Sequence, residues 1–263
     1  MRKLLFVALG VVTLFSSCIR IVTRGVRGEG EVVMECRTFD TSGVNALSVS
    51  SGFDVILDSS VEPGVVQVST YENILEYVKI DVDNGSLNIE MRGGVFCDVD
   101  VLEVRLSPAE FNVFVISGGV DMTCVEPLNT SSDVIFAISG GADVELGLSC
   151  DNLTIAASGG ADVCFDKLDA KDIKLAASGG ADVEFIGSCT TLNVEVSGGA
   201  DSNLRDLQAV HVVANASGGA DLAIWATGSY EICASGAADV WYRNTGATVV
   251  ADSSGGADVK RAK

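Results

Sequence analysis

A five-residue unit, Ser-Gly-Gly-Ala-Asp, recurs along this chain at nearly constant spacing, and no other feature restricts the possible folds as much. Copies begin at Ser117, Ser139, Ser158, Ser178, Ser197, Ser217, Ser235 and Ser254, at intervals of 22, 19, 20, 19, 20, 18 and 19 residues. Two copies vary, Ser117-Gly-Gly-Val-Asp121 and Ser235-Gly-Ala-Ala-Asp239, and a degenerate ninth stands at Ser50-Ser51-Gly52-Phe53-Asp54. Self-similarity at such a period marks a solenoid, in which one unit cannot bury its own apolar face but stacked units can.

Alternation within each copy identifies the element. Leu153, Ile155, Ala157, Gly159, Ala161, Val163 and Phe165 fall on one parity, and Asn152, Thr154, Ala156, Ser158, Gly160, Asp162 and Cys164 on the other. A period of two means β-strand. The same register runs from Ile173 to Phe185, from Leu192 to Leu204 with a polar break at Ser202, and from Tyr230 to Tyr242. Each unit therefore holds two short strands flanking a bend, with the Ala-Gly-Ala parity of the motif expected to point inward. Of 29 glycines, 15 lie in the eight copies, and no proline follows Pro127, as an uninterrupted hydrogen-bond ladder requires. The fold class that follows is all-β: a parallel β-helix or β-solenoid, right-handed by the general rule for parallel crossovers. Residues 108–263 form the regular coils of 18–22 residues, and residues 30–107 a less regular N-terminal β region. In that region Val78–Asp83, Asn84-Gly85 and Ser86–Met91 read as a hairpin on a type I′ turn.

The first residues bear on location. Arg2 and Lys3, the apolar run Leu4 to Phe15, and Phe15-Ser16-Ser17-Cys18 have the order of a secretory signal peptide. The run is shorter than the roughly 20 residues of a spanning helix. Residues 1–17 are expected to be a lipoprotein signal peptide, Cys18 the lipidated mature N-terminus, and 18–29 a linker. Phe15 replaces the usual aliphatic residue of a lipobox. The expected setting is the cell envelope, as an outer-membrane lipoprotein either periplasmic or surface-exposed; Ile19-Arg20 after the cysteine favours the periplasmic side. The net charge of −19 argues against nucleic acid, whose phosphates demand the opposite sign. Seven cysteines remain besides Cys18; an odd number leaves at least one unpaired in a monomer, and most are expected to be buried small hydrophobes. Cys150 and Cys189 share one offset in Ser-Cys-x-x-Leu. They should lie two coils, about 9.6 Å, apart and so remain unbonded to each other, since a disulfide needs Cα atoms within about 7 Å.

Several stretches together resemble a known bacterial family. They are Ser51-Gly-Phe-Asp-Val-Ile-Leu57, Asn73-Ile-Leu, Val78-Lys-Ile, Gly85-Ser-Leu-Asn-Ile89, Val101 to Leu106 and the recurrent Ser-Gly-(Gly)-x-Asp-Val units. The chain is similar to the "putative auto-transporter adhesin, head GIN domain" family over about residues 35–259. The resemblance implies a pectin-lyase-like β-helical shape, no established catalytic residues and a role in cell adhesion.

Asp121, Asp143, Asp162, Asp182, Asp201, Asp221, Asp239 and Asp258 should stand in one outward row, with their serines in a parallel row. Unit charges one coil apart repel by about 1 kcal/mol in water. Solvation plus hydrogen bonds from the serines and backbone N–H groups is one way to relieve this. The other is a cation such as calcium held between carboxylates of successive coils, for which Asp143, Asp162, Asp182, Asp201 and Asp221 are the candidate ligands. No catalytic residue is assigned and no cofactor is required: the acids recur in every coil, as in a scaffold, and His211, the sole histidine, sits on an outward parity. Trp225 and Trp241, also outward, are candidate ligand-binding residues able to stack on sugar rings. A non-catalytic, adhesive binding scaffold is the first expectation, with a glycan-binding or polysaccharide-processing β-helix as the alternative. The partners expected are the membrane through the lipid anchor, a glycan or a host or cell-surface protein, and a second copy through the solenoid ends.

Overall fold

The computed structural model describes residues 24–93, 95–244 and 246–262. Parallel strands stacked coil on coil give a β-solenoid of about seven turns, as the repeat predicts. Among the described residues the one helical element is a 3-10 turn, Leu75–Tyr77, and no helix is long and apolar enough to cross a membrane. Cys18 and the signal-like segment lie outside the described residues.

Five long strands carry the regular coils: Asp143–Gly159, Asp162–Ala177, Asp182–Val196, Asp201–Ala216 and Asp221–Ala234. Each starts at a motif aspartate and ends beside the next motif serine. Register shifts between Leu146 and Gly147, and between Phe165 and Leu168, mark where the strands turn from one face to the next. The inward columns keep register throughout: Val134, Leu153, Ile173, Leu192, Val212 and Tyr230 are successive partners. All six are buried. Inside, Phe114 stacks on Phe136 and Phe165 on Phe185, with ring centroids 4.7 and 5.1 Å apart, and Phe136 meets Phe165 edge-on at 5.4 Å.

The bend departs from simple alternation. The motif alanines point inward as expected, with Ala142, Ala161, Ala181, Ala200, Ala220 and Ala238 fully buried. The first glycine does not: Gly159, Gly179, Gly198 and Gly218 are exposed. Their φ angles are +84°, +76°, +77° and +79°, in the left-handed region that glycine adopts without steric cost. A Cβ on Gly218 would lie 2.8 Å from the Gly198 carbonyl oxygen. This glycine is required by backbone conformation and by the backbone of the coil beneath, not by inward crowding. The second glycine has no such constraint; in the Ser235 copy it is Ala237, whose N–H still donates to the Gly218 carbonyl. That ladder runs on through Gly160 to Gly140, Gly180 to Gly159, Gly199 to Gly179 and Gly219 to Gly198. The degenerate copy carries Ser51 at the corner, a non-glycine residue with φ +82°.

Before Ser117 the order of strands in space is not their order in the chain. Ser86–Met91 pairs in parallel with Ala46–Val49, which pairs in parallel with Val113–Gly118. Leu102–Leu106, Asp54–Leu57 and Asp121–Cys124 stack in the same way. Antiparallel pairings complete this end: Val32–Thr38 with Val65–Tyr71, Val65–Tyr71 with Leu102–Leu106, and the hairpin Val78–Asp83 with Ser86–Met91. Asn84 and Gly85 make the hairpin turn with φ +50° and +80°, the two positive values a type I′ turn needs. One hydrophobic core nevertheless runs from Val44 to Val240 without interruption.

Cysteine burial is more varied than the sequence suggests. Cys36, Cys124, Cys150, Cys164, Cys189 and Cys233 are free thiols, of which only Cys150 and Cys189 are buried; Cys164 and Cys233 take outward parity positions. Ala170 separates Cys150 from Cys189 in register, so the two stand two coils apart and unbonded, as expected. Burial pushes the Cys150 thiol up to about 11 and the Cys189 thiol up to about 12, which leaves both unreactive.

Candidate functional site: the acidic row and the tryptophan groove

One outer face of the solenoid carries both sets of candidate residues. Its first column is the aspartate row. Asp121, Asp143, Asp162, Asp182, Asp201, Asp221, Asp239 and Asp258 are successive Cα partners. The row extends past the recognised repeat, because Asp54 pairs with Asp121 and Glu103 pairs with Asp54. Ten carboxylates thus stand in one line. Glu103 lies outside any copy of the motif, and only the parallel pairing of distant strands puts it there.

The row is held apart by the backbone alone. The N–H of each motif aspartate donates to the residue before the aspartate one coil down, as Asp182 does to the Ala161 carbonyl. Among the described residues no side-chain hydrogen bond joins a motif serine to a motif aspartate, so relief by the serines is not what the fold uses. Desolvation first, and then neighbouring carboxylates, push Asp54, Asp143, Asp182 and Asp221 above the ordinary carboxylate value of 3.8. These are alternate members of the row from Asp54 to Asp239. At the far end Lys260 Nζ lies 2.8 Å from Asp258 and 3.5 Å from Asp239. No group of three or more His, Cys, Asp or Glu side chains converges in a metal-holding arrangement among the described residues.

Two residues along each strand runs a second outward column: Glu184, Asn203, Ala223, Trp241 and Lys260 are successive partners. Small Ala223 beneath Trp241 leaves a notch in this column. The groove there, about 490 Å³, is lined by Arg205, Ala223, Ile224, Trp241, Arg243 and Ala262. Arg205 Nε donates to Asn203 Oδ1 at 2.6 Å, and Asn203 Nδ2 donates to Glu184 Oε1 at 2.9 Å. The two tryptophans differ. The Arg243 guanidinium sits 4.6 Å from the centroid of the Trp225 ring, so one face of Trp225 is already covered by a cation–π contact. Trp241, by contrast, lines the groove. His211 is exposed and its Nδ1 is 2.9 Å from Ser229 Oγ; among the described residues no carboxylate bonds to it.

Comparison with known proteins bears on this architecture. Residues 44–246 match the family described as "Putative auto-transporter adhesin, head GIN domain". The chain belongs to this family. The family match starts well before the first full motif, in keeping with the shared core on both sides of residue 107. Solved structures of similar shape include a "putative adhesin" from Parabacteroides merdae, 18% identical, with a TM-score of 0.79 over 91% of this chain and 99% of that one. Another is a "Putative lipid binding protein" from Parabacteroides distasonis, 17% identical, with a TM-score of 0.78 over 91% and 100%. A "putative adhesin" from the same species is 18% identical with a TM-score of 0.79 over 91% and 100%. At these identities the likeness is one of fold. No curated protein sequence matches.

Proposed function

We propose that this head GIN domain protein is a non-catalytic binding scaffold of the bacterial cell envelope, working in adhesion and held to the outer membrane by acyl chains on Cys18. The observation that supports this most directly is the unbroken stack. The same motif aspartates recur on successive coils over a continuous backbone ladder, which presents a long, rigid, repetitive face. Rigid repeated surfaces suit multivalent attachment, in which many weak contacts sum. The family description and the adhesin names of the similar structures agree with it. The acidic row then acts as a solvated ridge that needs no cofactor, and a calcium titration should leave the melting temperature unchanged. The alternative of a glycan-binding module is favoured at one place, the Trp241 groove. Among the described residues its lining includes no carboxylate side chain, which supports binding over polysaccharide cleavage, where a carboxylate pair flanks the bond broken.

The test compares cells that produce the full chain, cells that lack it, and cells with Cys18→Ser. Adhesion to glycan-coated and host-protein-coated surfaces should fall in both altered strains, and labelled palmitate should enter only the unaltered protein. Equal adhesion by all three strains would sink the adhesive role; palmitate incorporation into Cys18→Ser would sink the anchor.

A further inference from the structure

Two arginines and a tryptophan line the groove beside Trp241. We infer that it is a binding site for an acidic glycan, with a sugar ring stacked on Trp241 and the sugar's carboxylate held by Arg205 and Arg243. This rests on the binding-scaffold reading above and names a ligand class for one place on it.

The geometry carries the inference in three steps. First, the wall is aromatic and available. Trp241 stands above the small Ala223 in its column, so a notch is left where other coils carry Glu184 or Asn203. A ring the size of a sugar fits a groove of about 490 Å³, within the range of small-ligand sites. Second, the lining is cationic in a chain of net charge −19. Arg205 and Arg243 are both exposed and neither makes an ion pair with a carboxylate among the described residues. Each is nevertheless positioned, Arg205 by Asn203 and Arg243 by the Trp225 ring. A guanidinium fixed by a neutral partner keeps donors free for a planar carboxylate. Third, the nearest acids of the row are partly neutralised. Asp239, two residues before Trp241, has Lys260 at 3.5 Å. The same geometry assigns the two tryptophans different tasks: Trp225 positions Arg243 and Trp241 meets the ligand.

The chain has two tryptophans, so binding is read by calorimetry on the otherwise unaltered chain, with indole fluorescence as a second signal. The full chain in detergent would be titrated with a polygalacturonate oligosaccharide, its methyl ester and inorganic phosphate. The oligosaccharide should quench the indole fluorescence and bind at least tenfold more tightly than the ester. Arg205→Gln and Arg243→Gln should each weaken it about tenfold, and Trp241→Ala should abolish binding measured calorimetrically while leaving the melting temperature unchanged. Equal binding of acid and ester, unaltered binding by Trp241→Ala, or phosphate binding as tight as the oligosaccharide would each overturn the inference. Failure here is separable from failure of the adhesive role. If no oligosaccharide binds while producing cells still adhere, the inference falls alone. If it binds while cells lacking the protein adhere normally, the adhesive role falls alone.

Discussion

The strands before residue 107 and the coils after residue 134 share one core, yet they are fixed by different means. In the first region side chains reach across to backbone. Arg37 donates to the Val78 and Leu75 carbonyls at 2.7 and 2.9 Å, Thr70 Oγ1 donates to Val101, and Arg105 pairs with the mostly buried Asp58 at 2.9 Å. In the second region most side-chain bonds are exposed, such as Asn203 to Glu184 and Ser188 to Asp169; the buried Tyr230 hydroxyl, bonded to the backbone of Ala226 and Arg243, is the exception near the last coils, and elsewhere the backbone ladder does the fixing. The difference follows from topology. Where each coil lies on the one before it, register is inherited. Where stacking order departs from chain order and antiparallel strands intervene, loops must be tied down individually.

The sharpest way to break this contrast is at the bend. Gly218→Ala places a Cβ against the Gly198 carbonyl at a left-handed corner and should lower stability by about 3 kcal/mol. Gly219→Ala, whose Cβ would sit 3.7 Å from the same oxygen, should change it by less than about 1 kcal/mol. Similar urea midpoints for the two would show that the ladder does not pin the corner. Next in size, Arg37→Ala should cost about 2 kcal/mol by taking the side-chain donor from the part-buried Val78 carbonyl and one of two donors from that of Leu75, which keeps the Val78 N–H. Lys171→Ala in the coils, removing an exposed pair with Asp151, should cost less than about 0.5 kcal/mol. Equal losses would erase the distinction between the regions.

Ser202 offers a gain. It occupies the inward column between Val183 and Leu222, is 3% exposed, and its Oγ has no partner. Ser202→Val should stabilise the protein by about 1–2 kcal/mol, and an unchanged or lower melting temperature would contradict the packing described. The smallest effect concerns the acidic row. Burial, then Asp162 and Asp201, raise Asp182 above 3.8, so the folded chain holds that proton more tightly than the unfolded one. Stability from the row is therefore full below 3.8 and lost as pH rises through the raised values. Asp40 and Asp58, lowered by their bonds with Ser42 and Ser60, act oppositely and lose their contribution as pH falls below 3.8. The melting temperature should thus climb as pH drops from neutrality toward 3.8. At neutral pH Asp182→Asn should add no more than about 1 kcal/mol and flatten that climb; an unaltered slope would mean the row does not repel itself.

Strand parity, coil spacing, the aspartate row and the unbonded Cys150 and Cys189 were all legible in the sequence, because a parallel stack repeats its neighbours and a period of two admits one register. The Asn-Gly turn was legible for the same local reason. The two tryptophans were visible as outward residues, but not their division of labour, since Arg243 and Trp225 belong to different coils and meet only through pairing. The inward assignment of the first motif glycine failed because alternation says nothing of a left-handed corner. What the sequence by itself determined is the repeating unit and the side each residue faces, both set by local sterics and burial. The stacking of Ser86–Met91 beneath Ala46–Val49, the addition of Glu103 and Asp54 to the row, and the cationic groove at Trp241 were decided only by tertiary structure. Each depends on strands far apart in the chain coming to lie one coil apart.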